Sequence, residues 1–143
     1  MERKLSDNII PYLEEEINNV MEKVGHHKVS IMYRNRSITV YKDNGLSLEM
    51  SSGYESYLMD LVFRFAIQNI NTMVRMDHMI IDEGFGSCDE KNKVNIKNLI
   101  EMMRESYRWI MIISHDNYIK NFYDKSIIIE KNLNKSSKIT FNI

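Results

Sequence analysis

The sequence predicts an α/β fold: a mostly parallel sheet with flanking helices and a small antiparallel addition. Three observations carry this. Apolar residues recur at helical spacing in three long stretches. Short apolar runs without alternation, Met79–Ile81 and Trp109–Ile113, stand between or after those stretches. Segments rich in Val, Ile, Thr and Tyr fill much of the remainder. The length, 143 residues, suits one domain, and 43% hydrophobic against 27% charged residues is enough to build a core. The chain shows no sign of a second domain or of an internal repeat.

The first element is an amphipathic helix over residues 8–24. Ile9, Ile10, Leu13, Ile17, Val20, Met21 and Val24 form its stripe. Asp7 or Asn8 is the expected cap, Pro11 falls in or beside the first turn, and Gly25 is the stop. Two strands follow, Val29–Arg34 and Ser37–Tyr41, and then a turn at Lys42-Asp43-Asn44-Gly45. Residues 53–70 form the second helix, with Leu58, Leu61, Val62, Phe65 and Ala66 inward. Met79-Ile80-Ile81 is a strand that ends in Asp82-Glu83. Asp89 caps a third helix that buries Val94, Ile96, Leu99, Ile100 and Met103. Trp109–Ile113 is the next strand, closed by Ser114-His115-Asp116. A short helical stretch leads to two last strands, Ser126–Glu130 and Lys138–Asn142.

Composition narrows the function classes. Lys plus Arg is 19 and Asp plus Glu 20, a net charge of -1, so charge alone gives no argument for a nucleic-acid surface. One cysteine excludes an intrachain disulfide framework and a multi-cysteine zinc site, and fits a reducing compartment, cytosol or nucleus. No apolar run approaches the roughly 20 residues of a membrane helix, and the opening MERKLSDN lacks a signal-peptide core. No membrane partner is expected.

Four short patterns carry chemistry. A strand that exposes Asp82 and Glu83 at its end can present one carboxylate to Mg²⁺ and a second to a reacting water; the bland alternative is a solvated acidic turn. In a parallel sheet ligands bind beyond the carboxyl ends of the strands. His115, at the end of a second strand, meets the acidic pair there only if the two strands are neighbours. Ser52-Gly53-Tyr54-Glu55 opens a helix, where free N–H groups attract an anion, although an N-cap serine alone explains the pattern. Gly84-Phe85-Gly86-Ser87-Cys88-Asp89 links the acidic pair to the third helix and by itself is a loop.

Taken in order, S-G-x-E, hhhDE, G-x-G-S-x-D and hhhSHD resemble the C-terminal half of an ABC-type ATPase head, a P-loop NTPase fold. Ser52–Glu55 looks like the signature motif, Met79–Glu83 like the Walker B strand, Ser87-Cys88-Asp89 like the D-loop, and His115 like the switch histidine. Asp82-Glu83-Gly84-Phe85-Gly86-Ser87 and the run Ser52–Ile67, with Arg64 inside it, are most similar to the coiled-coil ATPases of DNA double-strand-break repair, relatives of the structural-maintenance-of-chromosomes (SMC) proteins. Tyr54 departs from the usual second glycine and Cys88 from the usual leucine.

The resemblance implies ATP and Mg²⁺ as ligands. It makes Asp82 the metal residue and Glu83 and His115 the catalytic ones, and puts Ser52, Gly53, Tyr54, Glu55 and Asp89 on nucleotide. It implies a coiled-coil base helix at 1–25, strands at 26–50, and the signature, Walker B, D-loop and switch region at 51–143. None of the five glycines is followed by lysine, so the phosphate loop G-x-x-x-x-G-K-[ST] is absent. The chain therefore resembles a C-terminal lobe, inactive alone and partnered by an N-terminal lobe that carries that loop. It should show an unfinished sheet edge or face where that lobe docks. The other implied partners are a second head in a homodimer, DNA and a nuclease. The competing readings are an SMC-type chromosome-organising clamp, the nucleotide-binding part of a transporter, and an α/β domain without activity.

Overall fold

A computed structural model describes residues 2–35, 37–71, 73, 75–83, 89–131 and 136–142. The chain runs α1 (Glu2–Val24), β1 (Val29–Arg34), β2 (Ser37–Lys42), α2 (Gly53–Ile70), β3 (His78–Asp82), α3 (Glu90–Ser106), β4 (Trp109–Ile113), β5 (Ser126–Lys131) and β6 (Ser137–Asn142). Short 3-10 turns occupy Leu48–Met50 and Asn117–Asn121.

The three helices enclose the core because each presents one apolar stripe. Leu13, Ile17, Val20, Met21 and Val24 of α1 meet Leu58, Leu61, Val62, Phe65 and Ala66 of α2 and Ile96, Leu99, Ile100 and Met103 of α3. Met79 and Ile81 of β3 join them, with Ile119 and Phe122. Two expected stripe residues lie outside. Ile9 is exposed, and so is Val94, which sits two positions before Ile96 and hence nearly opposite it on the helix. The first helix also begins earlier than its capping residues suggest. It starts at Glu2, and Pro11 lies inside it. The ring removes one helical N–H. Pro11 faces outward, where water can satisfy the carbonyl that loses its partner. At the other end Gly25 takes φ +79, and the His26 N–H donates to the Met21 carbonyl at 2.8 Å, closing the helix as its sequence predicts.

The sheet departs most from expectation. Among the described residues the strands form three two-stranded sheets. Only β3 and β4 are parallel, with Ile80 opposite Met111 and Asp82 opposite Ile113. The β1–β2 hairpin is the expected antiparallel addition. β5 and β6 are also antiparallel: residues 132–136 alone connect them, far short of the dozen or so that a parallel crossover needs. Nor are β3 and β4 covered on both faces. Met79 and Ile81 point into the core, while Ile80, Trp109, Met111 and Ile113 are exposed.

The hairpin is pinned to α1. The Asn18 side chain donates to the Val29 carbonyl and accepts from the Val29 N–H, each at 2.8 Å. Glu14 accepts from the Ile31 N–H at 2.6 Å. These bonds satisfy the open edge of β1 and fix β2 beside the start of α2.

Candidate functional site

Parallel pairing of β3 with β4 brings two separate motifs to one sheet end. Asp82 is the last residue of β3, and Glu83 follows it. Glu83 leaves the strand with φ 53, a left-handed conformation that a non-glycine residue rarely takes. Its N–H donates to the Ile113 carbonyl at 2.8 Å, which fixes that turn to the end of β4. The Glu83 Oε1 lies 3.2 Å from Nδ1 of His115. The sequence places these two residues together only on condition that their strands are neighbours, and they are.

Both side chains face solvent, Glu83 at 61% and His115 at 84% exposure. Their contact therefore contributes little to stability and leaves both groups reachable. An ionised carboxylate only accepts, so Nδ1–H is the donor and Nε2 points away from Glu83. Asp82 is exposed beside them. Among the described residues, no group of three or more His, Cys, Asp or Glu forms a cation cage. Mg²⁺ is ordinarily held by one or two carboxylates together with water and substrate phosphates. Asp82 is a donor of the required hard-oxygen type.

Ser52–Glu55 stands elsewhere, at the start of α2, as a reciprocal capping box. The Glu55 N–H donates to Ser52 Oγ at 3.3 Å, and the Ser52 N–H donates to Glu55 Oε2 at 3.2 Å. Gly53 is the first helical residue. Tyr54 is buried, with its ring 6.3 Å from that of His26. The hydrogen bond from Lys42 holds the Glu55 carboxyl below its ordinary range, against a smaller opposing effect of burial. Burial pushes the His26 imidazole down, against the attraction of Glu55. Asp89 caps α3, accepting from the Asn92 N–H at 2.8 Å. The rest of the expected D-loop, Ser87 and Cys88, lies outside the described residues, as does the stretch Gly84–Gly86 before it.

Sequence reasoning missed Lys42, read only as part of a turn. Its Nζ lies 2.7 Å from Glu55 Oε2. The Ser-x-x-Glu spacing announces a capping box, but nothing local marks a cation thirteen positions upstream. Arg64 lies on the outer side of α2, paired with Asp60 at 2.9 Å. No helix among the described residues is long and apolar enough to cross a membrane.

No family model matches the sequence. The DNA double-strand break repair Rad50 ATPase of Saccharolobus solfataricus is 29% identical across 94% of this chain and 18% of its own length. The SbcC component of the SbcCD nuclease of Treponema pallidum is 31% identical across 56% of this chain and 8% of its own. An uncharacterized protein of Acanthamoeba polyphaga mimivirus is 21% identical across 85% of this chain and 10% of its own. In three dimensions the whole chain superposes on 90% of a solved chain from work on ATP-driven dimerization and DNA-stimulated activation of SMC ATPases, with TM-score 0.79 and 16% identity. The chain thus spans between 8 and 18% of the length of these curated relatives. Its sequence relatives are Rad50 and SbcC ATPases and its fold is that of SMC heads, the relationship that the ordered motifs imply.

Proposed function

We propose that this chain is the C-terminal lobe of a DNA-repair coiled-coil ATPase and hydrolyses ATP only when an N-terminal lobe supplies the phosphate loop. The observation that carries the reading is the Glu83–His115 contact at the carboxyl end of the parallel pair, with Asp82 next in line. Asp82 is the residue to hold Mg²⁺. An ion held there would supply charge neutralisation for phosphoryl transfer. Glu83 accepts the proton of the attacking water at its carboxylate. His115 is oriented by Glu83 through Nδ1–H, and it reaches a phosphate oxygen when Nε2 carries a proton. Ser52 and Gly53 act in trans on nucleotide held by a second head, with the buried Tyr54 and the Lys42-paired Glu55 holding the helix start behind them, and Asp89 lines the same interface. ATP then joins two heads at DNA ends, and hydrolysis releases them.

Three further features support this reading. The exposed apolar face of β3–β4 is where a phosphate-loop lobe would dock. The SMC chain that superposes on this one is covered over 90% of its length, so the two are of similar size. The relatives named for double-strand-break repair and for the SbcCD nuclease favour repair, with a nuclease partner, over an SMC-type clamp. On this reading α1 is the base of the coiled-coil arm, 26–50 the hairpin region and 51–143 the nucleotide-facing part. The test is turnover. The 143-residue chain alone should release negligible phosphate from MgATP, and adding the phosphate-loop lobe should restore release. Robust hydrolysis by the chain alone would sink the half-head reading.

A further inference from the structure

One oxygen near the start of α2 carries more partners than a helix cap requires. Glu55 Oε2 receives the Ser52 N–H at 3.2 Å and Lys42 Nζ at 2.7 Å, and it faces Ser52 Oγ at 3.5 Å. The Lys42 bond is short and charge-assisted, and the Oγ contact is at the limit of a hydrogen bond. The side chains of Lys42 and Glu55 are 21% and 27% exposed, so solvent screens this pair less than the other ion pairs described. Lys42 itself is fixed. Its N–H donates to the Leu46 carbonyl and its carbonyl accepts from the Gly45 N–H, each at 2.9 Å. The hairpin behind it is bound to α1 through Asn18 and Glu14.

We infer that Lys42 is a positioning residue for Ser52: it offsets the charge of the Glu55 carboxylate that holds the Ser52 N–H and hydroxyl, so that an anion can approach this end of α2. The inference rests on the proposed trans role of Ser52 and adds the group that makes that role workable. An ionised carboxylate 3.5 Å from the hydroxyl would repel an incoming triphosphate. Lys42 offsets that repulsion by engaging Oε2 itself. The Ser52 Oγ accepts from the Glu55 N–H, and its own bond to Oε2 is long enough for a phosphate oxygen to replace. His26, also near Glu55, does not substitute, because burial favours its neutral form.

The experiment uses the head completed by its phosphate-loop lobe, with MgATP as probe. Lys42→Met should raise the ATP concentration for half-maximal head dimerisation roughly tenfold, the scale of one charge-assisted hydrogen bond. Single-head ATP affinity should stay near wild type, and the thermal midpoint should fall only slightly, by the lost Lys42–Glu55 pair. Lys42→Arg should restore dimerisation, since it keeps the cation. The double variant Lys42→Met with Glu55→Gln should also restore it, because glutamine preserves the capping box and removes the charge. The Lys42→Met defect should shrink at high salt. Wild-type dimerisation in Lys42→Met, or a defect that the double variant leaves uncorrected, overturns the inference. Ser52→Arg is the parallel control. If it dimerises normally, the trans role itself is wrong; if it fails while Lys42→Met succeeds, only the role of Lys42 is wrong.

Discussion

Glu83 offers a separation between chemistry and folding that can be worked from its geometry. Glu83→Gln keeps the side-chain length, the N–H donation to the Ile113 carbonyl, and an oxygen to accept from His115 Nδ1–H. It removes only the ability to take a proton. General-base loss costs about 10²–10⁴-fold in rate, or about 3–5 kcal/mol of barrier. The stability change should be below about 1 kcal/mol, because the Glu83–His115 pair is exposed. Glu83→Gly gives the complementary result. Glycine accepts φ 53 without the roughly 1–2 kcal/mol that a left-handed side-chain residue stores. Part of that gain is offset by the greater freedom of the unfolded chain. The glycine variant should be as stable as wild type or more so, yet equally inactive. Phosphate release by the completed head and urea unfolding of each variant measure the two effects. ATP-bound dimers should accumulate with Glu83→Gln. Wild-type turnover by either variant refutes the assignment of Glu83 as base. A clear loss of stability in Glu83→Gly refutes the strain reasoning.

Ser52→Arg should abolish ATP-driven dimerisation of completed heads, read by size-exclusion with and without MgATP, since the new side chain fills the space in front of the helix start. Acidification should weaken the fold in two steps, read from urea midpoints at stepped pH. His26 is pushed below its ordinary 6.5 by burial, so its neutral form contributes stability above that value that is lost as pH falls through the folded value. Glu55 is held below its ordinary 4.5 by Lys42, so its contribution is present above that value and disappears at lower pH. His26→Phe should remove the first step and Lys42→Met should reduce the second.

The helices were legible because their signals are local and agree with one another. The α2 stripe, the Ser52 cap and the Asp89 cap are each written within one or two turns of chain. The Glu83–His115 contact was legible only conditionally: two apolar strands joined by a helix run parallel, but whether they are neighbours is decided by the fold. What failed depends on surroundings. Pro11 reads as a start signal, yet the helix continues through it, with Pro11 on its exposed side. The antiparallel pairing of β5 with β6 is different: it follows from the short connection, which the sequence does contain. Lys42 and Glu55 are brought together by the hairpin, and the positive φ of Glu83 is set by its bond to Ile113. Neither leaves a trace in neighbouring residues.

The open face of β3–β4 ties the site to whatever completes the sheet. Side chains alternate along a strand, so the register that sends Met79 and Ile81 into the core sends His78, Ile80 and Asp82 outward together. In β4 the same alternation exposes Trp109, Met111 and Ile113, and the Trp109 ring stacks on His78 at 4.8 Å. Asp82 therefore stands at the end of an apolar strip, on the same side of the sheet. Water opposes leaving that strip bare. A one-residue slip of β3 would bury Asp82 and expose Met79 and Ile81, so the hydrophobic core itself fixes which way the carboxylate points. A lobe that covers Ile80, Met111 and Ile113 is delivered against Asp82 by that same burial. In this arrangement the force that would assemble the head and the placement of the carboxylate proposed to bind metal are set by one alternation in one strand.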